Sequence, residues 1–140
     1  MIEVNIYNES THKYLPSKLM TQAVLKVAER EIKKTGEISI IICSDSFIHE
    51  LNINFLNHDY ATDVITFEIE SNPLVGEIYI SADTAKLQAL DYGVPFRDEL
   101  LRLSIHGTLH LAGYKDDSEE EKRKMTIKED FYLQMLKEGN

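Results

Sequence analysis

Two imidazoles four residues apart, His106 and His110, are the residues best suited to do chemistry, and the chemistry they suit is metal binding. They lie in RDELLRLSIHGTLHLAGYKDD, residues 97–117. Leu100, Leu101, Leu103, Ile105, Leu109 and Leu111 recur there at mixed i, i+3 and i+4 spacing with no Pro among them, which predicts a helix. Four residues make one turn plus a small rotation, so both imidazoles leave the same face. Gly113 supplies the stop, since Gly tolerates a left-handed cap. The segment Tyr114–Lys115–Asp116 can then fold back toward the histidines. Two imidazoles and one group from the following turn form a three-ligand site with an open position, the form of a catalytic zinc centre. A bare His pair at this spacing also arises by chance. The Gly and the carboxylate behind it are what point to a site.

The elements that must hold this segment can be read along the chain. IEVNIY, 2–7, alternates and predicts a strand. Pro16 opens a helix from Ser17 to about Lys34, with Leu19, Met20, Ala23, Val24, Val27, Ala28 and Ile32 on one face and Gly36 ending it. EISIIIC, 37–43, is a β-branched inner strand. Ser44 or Asp45 caps a second helix through Leu56, and Asn57-His58-Asp59 is a loop. DVITFEIE, 63–70, and GEIYIS, 76–81, are strands joined by a turn at Asn72-Pro73. Ser81 or Asp83 caps a helix over 84–91, which Gly93 stops, and Pro95 opens the His helix. Asp117 or Ser118 starts the last helix, where Ser118 and Glu121 fit a capping box. The expected fold is α+β: a single domain over 1–140, about four strands in a mixed sheet packed with about five helices. The metal site sits on a central helix and the turn after it.

Composition narrows the classes. With 140 residues the chain suits one domain, and 43% hydrophobic with 28% charged residues is ordinary for a globular protein. No apolar run is long enough to cross a membrane, and the N-terminus lacks the pattern of a signal peptide. The single cysteine, Cys43, lies in an apolar run and is expected to be a small buried residue. These points lead to an expectation of the cytoplasm. The net charge of −9 argues against a generic nucleic-acid binder. Much of that acid, in Glu119, Glu120, Glu121, Glu129 and Asp130, reads as a solvated helix face. Lys122-Arg123-Lys124 reads as part of that face, paired with the glutamates before it.

The segment HGTLHLAGYKDD resembles the HGxLHLxGYDH signature of the YbeY family, bacterial rRNA-maturation endoribonucleases. The family pattern is His-x3-His-x5-His. His106 and His110 match its first two positions, and Asp116 occupies the third. Aspartate oxygen is a legitimate zinc ligand at about 2.0–2.2 Å, harder than imidazole and negatively charged. Asp116 is therefore expected to keep the site while shifting preference from Zn2+ toward Mn2+ or Fe2+, with adjacent Asp117 as the alternative ligand. Residues 51–69 resemble the family's LNxxYRxxDxxTDVLSF stretch, matched at Leu51, Asn52, Asp59, Thr62, Asp63, Val64 and Phe67. VGEIYIS, 75–81, resembles LGDIxIS, and ELLRLSIHG leads into the metal motif in the family's manner. Leu56 departs from the family's usual arginine, which faces the active site and RNA, and leucine cannot contact phosphate. Its expected role is packing. The cations left nearby in sequence are His58, Lys115 and Arg102.

A divalent metal at His106, His110 and Asp116 would leave room for a water whose pKa falls toward about 7, fit to attack a phosphodiester. The histidines' other nitrogens need acceptors, and backbone carbonyls and Asp63 are the candidates. Asp63 is also a candidate base; its plainer role is to cap the turn before a strand. A His-Glu-x-x-His peptidase would carry its base where Gly107 stands, which removes that reading. Gly107 suits a close approach of a neighbouring strand or of substrate, and Ser104 is a packed helix residue. The residues alone reach a metal-assisted hydrolase. The resemblance implies a metal-dependent, single-strand-specific endoribonuclease of rRNA maturation, at the 3′ end of small-subunit rRNA. Its partners would be single-stranded RNA or rRNA and the ribosomal small subunit or its assembly factors, with no membrane. The competing readings are a non-catalytic assembly factor with a structural metal and a metal-dependent hydrolase of other phosphoesters.

Overall fold

The alternation of IEVNIY and the β-branched run after Gly36 become two parallel neighbours at one side of a single sheet. The computed structural model describes residues 1–139. In chain order the elements are β1 (Ile2–Asn8), α1 (Ser17–Glu31), β2 (Gly36–Cys43), α2 (Asp45–Leu56), β3 (Val64–Glu70), β4 (Leu74–Ser81), α3 (Ala82–Tyr92), α4 (Phe96–Leu111) and α5 (Glu119–Gly139). The strand order is β1-β2-β4-β3. β1, β2 and β4 run parallel and β3 runs antiparallel to β4 at the edge, so the sheet is mixed as expected. Together these elements form one α+β domain.

The period-two pattern sorts the strands' side chains onto two faces. Ile38, Ile40, Ile42, Ile78 and Ile80 are fully buried beneath α1, α4 and α5, which supply Met20, Val24, Leu100, Leu103, Met125 and Tyr132. Cys43 and Ile65 face the other way and meet Ile48 of α2. Cys43 is 1% exposed, as expected of a small buried residue. Burial and the charges of Asp45 and Asp83 push its thiol up to about 12.

Several boundaries move for identifiable reasons. α1 ends at Glu31, three residues before the expected Lys34, because Ile32 turns extended (φ −116°, ψ 120°) and buries its side chain. Lys34 leaves the helix and reaches Ser71 Oγ at 3.2 Å. Gly36 opens β2 instead of closing α1. Its φ is +149°, and a Cβ there would lie 2.0 Å from the Leu74 carbonyl oxygen. Leu74 pairs with Gly36, which starts β4 two residues earlier than the pattern predicts. α3 also starts two residues early, since Ser81 is the cap and its Oγ accepts from Thr84 N–H.

α4 is the central helix. It contacts β3, β4, α1, α3 and α5. Gly107 makes its seat: a Cβ there would fall 2.6 Å from Ile78 Cγ2 on β4. The expected close approach is therefore to a strand, and it sets α4 flush on the sheet. Ser104 is packed as expected, its hydroxyl donating to the Leu100 carbonyl at 2.8 Å. Gly113, at φ +105°, follows the last turn and starts the reversal that carries the chain over the histidines.

Candidate metal centre

His106 and His110 project from α4 into a cleft of about 410 Å³ beside edge strand β3. Asp116 comes from the turn before α5. Its start is fixed by a reciprocal cap: Ser118 Oγ accepts from Glu121 N–H at 3.1 Å, and Glu121 accepts from the N–H groups of Ser118 and Asp117 at 3.0 and 3.1 Å. The three side chains converge and could hold a metal ion. The two Nε2 atoms are 3.0 Å apart, and Asp116 Oδ2 lies 3.3 Å from His106 Nε2 and 3.4 Å from His110 Nε2. Ligands at about 2.0–2.1 Å from a tetrahedral ion stand roughly 3.3 Å from one another, so the spacing fits. Asp117 is exposed and lies outside this group.

The other ring nitrogens decide what the converging atoms can be. His110 Nδ1 is 2.9 Å from the Tyr114 carbonyl, which only accepts, so that nitrogen carries a proton. His106 Nδ1 is 2.6 Å from Glu129 Oε2, a carboxylate, and carries one too. In the neutral rings both Nε2 atoms then present lone pairs, and the carboxylate beside them presents another. Three acceptors meet with no donor among them, which is an arrangement that a cation relieves. Burial pulls the His106 pKa down, but the hydrogen bond and charge of Glu129, with the charges of Asp116 and Asp63, outweigh it and raise it. The surroundings thus favour positive charge at this point.

The sequence pattern puts Glu129 on a solvated face, but in the fold it is 3% exposed. Besides His106 it holds Arg102, whose Nη1 donates to Glu129 Oε1 at 3.1 Å. Arg102 also bonds Glu99, itself 1% exposed, and Gln88 donates to Glu99 at 2.7 Å. Arg102 is therefore committed to a buried network and is no free cation for phosphate. The missed signal was periodicity. Met125, Glu129 and Tyr132 are the buried residues of α5, at i, i+4 and i+7, so the glutamate sits in a core stripe. The rest of the acidic face behaves as read, with Lys122 and Lys124 3.9 Å from Glu119 and Glu120.

Asp63 lines the same cleft. Its carboxylate accepts from Thr62 Oγ1 at 3.3 Å and from no backbone N–H among the described residues, so it does not cap the turn. Leu56 does not pack as expected; it is 42% exposed and lines the cleft. Among the described residues of the lining there is no Lys or Arg, and three carboxylates belong to Asp63, Glu68 and Asp116.

A family model described as Endoribonuclease YbeY matches residues 5–137. The chain belongs to the YbeY family. An Endoribonuclease YbeY of Chlorobaculum parvum is 42% identical over 135 residues, covering 96% of this chain and 95% of the relative. That of Porphyromonas gingivalis is 37% identical over 140 residues, covering 99% and 93%. A Thermotoga maritima protein known from its solution structure superposes with a TM-score of 0.66 at 30% identity, covering 97% of this chain and 89% of that one. Asp116, which stands third in the His-x3-His-x5 pattern of the sequence, is brought beside both histidines in the fold, where the three could hold a metal ion.

Proposed function

We propose that this chain is a metal-dependent, single-strand-specific endoribonuclease whose metal is held by His106, His110 and Asp116. The observation that carries the reading is the convergence of three acceptor atoms, 3.0 to 3.4 Å apart, with every Nδ1 proton already committed elsewhere. A divalent ion held there would supply a water of pKa near about 7 and a positive charge beside a phosphate oxygen. Glu129 and the Tyr114 carbonyl lock the two ring tautomers, so both Nε2 lone pairs stay aimed at the ion. Asp63, on the cleft wall, is the group we assign to take up the proton. Zn2+ suits two imidazoles and a carboxylate, and Mn2+ or Fe2+ are the alternatives the Asp116 oxygen favours. Asp117 stands outside the group of three, so these residues would supply three ligands and leave room for a water, which supports a catalytic over a structural ion.

The RNA substrate is supported by the family membership and by the relatives' name. From the family resemblance we extend the role to rRNA maturation at the 3′ end of small-subunit rRNA, in the cytoplasm, with the ribosomal small subunit or its assembly factors as partners. Among the described residues no helix is long and apolar enough to cross a membrane.

The test is metal content per chain beside cleavage of single-stranded RNA, for wild type, His110→Ala and Asp116→Ala made without a His tag and free of other nucleases. The expected result is about one ion in wild type, much less in both variants, and at least about a 100-fold loss of kcat/KM. Unchanged cleavage by His110→Ala would detach the activity from this site. Metal lost in His110→Ala but kept in Asp116→Ala would move the third ligand to Asp117.

A further inference from the structure

The cleft holds a second built feature that the metal chemistry does not use. His58 and Tyr60 line it together with the two histidines of α4. Their rings are nearly parallel, 12° apart with centroids at 5.2 Å, and Tyr60 OH is 3.1 Å from His58 Nδ1. Tyr60 is 54% exposed, far more than its packing on His58 requires. The pair is held from beneath by Asn52, which is 2% exposed. The Asn52 carbonyl accepts from His58 N–H at 3.0 Å, and its Nδ2 donates to the Tyr60 carbonyl at 2.8 Å. Asn52 therefore holds both ends of an exposed aromatic step, His58 through its backbone carbonyl and Tyr60 through its buried side chain. Asn57 makes the turn into it in the left-handed region, at φ 57°.

The charge of the cleft gives this step its meaning. With no Lys or Arg in the lining, the walls offer a phosphate backbone no cationic side chain beyond the ion proposed at the histidines. Leu56, on the same rim, is apolar. Bases offer the other handle: every base has a flat face, and stacking on an aromatic side chain is sequence-tolerant and open only to unstacked, single-stranded nucleotides. We infer that the His58–Tyr60 pair is a stacking platform for a nucleobase, and that it positions single-stranded RNA across the metal centre in place of an arginine clamp on phosphate. This rests on the endoribonuclease reading above and concerns how that site holds its substrate.

The experiment is equilibrium binding in the presence of metal, using an uncleavable fluorescein-labelled 2′-O-methyl adenosine hexamer and an abasic hexamer of the same backbone. The proteins are wild type, Tyr60→Ala and Tyr60→Phe. Tyr60→Ala is expected to weaken the adenosine hexamer about ten-fold, within the range of one base–aromatic stack, and to leave the abasic hexamer unchanged. Tyr60→Phe keeps the ring and should keep the affinity, which separates stacking from the hydroxyl's role in the loop. The salt dependence should be shallow, a log–log slope no steeper than about −1.5, because single strands contribute about −0.7 per phosphate contact. Equal adenosine-hexamer affinity in wild type and Tyr60→Ala, or a slope near −3, would overturn the platform while leaving the nuclease reading intact. Wild-type protein that binds neither hexamer and cuts no RNA would overturn both.

Discussion

At the scale of single residues, the centre depends on a group remote in sequence from the histidines it serves. Glu129 fixes the tautomer of His106 from 23 positions away. Replacing it by Gln keeps the shape but weakens the hydrogen bond that orients the ring. Metal affinity should fall roughly 10- to 100-fold, the usual effect of losing such a partner. Competition with a chromogenic chelator measures it, and cleavage should return when metal is raised. A variant with wild-type affinity would remove Glu129 from the site. His106, His110 and the turn carboxylate were legible because their spacing is local and helical geometry converts it directly into a shared face. Glu129 was not, because a charged residue inside a mostly charged helix reads as solvated until its position among Met125 and Tyr132 is counted. Leu56 was misread for the opposite reason. Apolar residues are expected to pack, and nothing local says that this one faces a cleft.

At the scale of elements, the seat of α4 on β4 sets where the two histidines stand. Gly107 lies between the two histidine turns, in contact distance of Ile78. Gly107→Ala would force the helix off the sheet or Ile78 out of its rotamer, and overpacking of this kind costs about 1–3 kcal/mol. We expect a lower Tm and weaker metal binding together. Thermal unfolding with and without metal reads this, and a variant as stable as wild type would mean the helix has slack. The sequence pattern gave the kinds and order of all nine elements within a few residues. Two of the boundaries that moved did so where a tertiary contact overrode a local one: Ile32 left its helix to be buried, and Gly36 met the backbone of β4.

At the scale of the whole molecule, one carboxylate ties three parts of the chain together. Glu31, the last residue of α1, accepts from Tyr114 OH at 2.9 Å, from Lys128 Nζ at 3.0 Å and from Tyr132 OH. Tyr114 also supplies the carbonyl that orients His110, so this knot lies directly behind the metal turn. Burial raises the Glu31 pKa, but hydrogen bonds from Tyr132, Lys128 and Tyr114 outweigh it and hold the carboxyl below its ordinary 4.5. A carboxyl depressed on folding adds stability above its unfolded pKa, and that stability is lost as pH falls through the folded value. Glu31→Gln should therefore cost roughly 1–3 kcal/mol at neutral pH, the range for hydrogen bonds to a charged group. The gap to wild type should close as pH falls below about 5. Denaturant titrations across pH test this, and a gap that stays constant would mean that the charge does not contribute.

Finally, the cleft lies against a strand that has a free edge. β3 pairs with β4 on one side only. An uncovered edge invites pairing with other chains, and proteins guard against it with charge and irregular backbone. β3 has both at one end: Glu68 and Glu70 are exposed, and the register slips between them. Glu68, which lines the cleft, also discourages one molecule from adding its strand to another. The openness needed to admit a long polymer is thus kept without making the protein prone to aggregate through its own working edge.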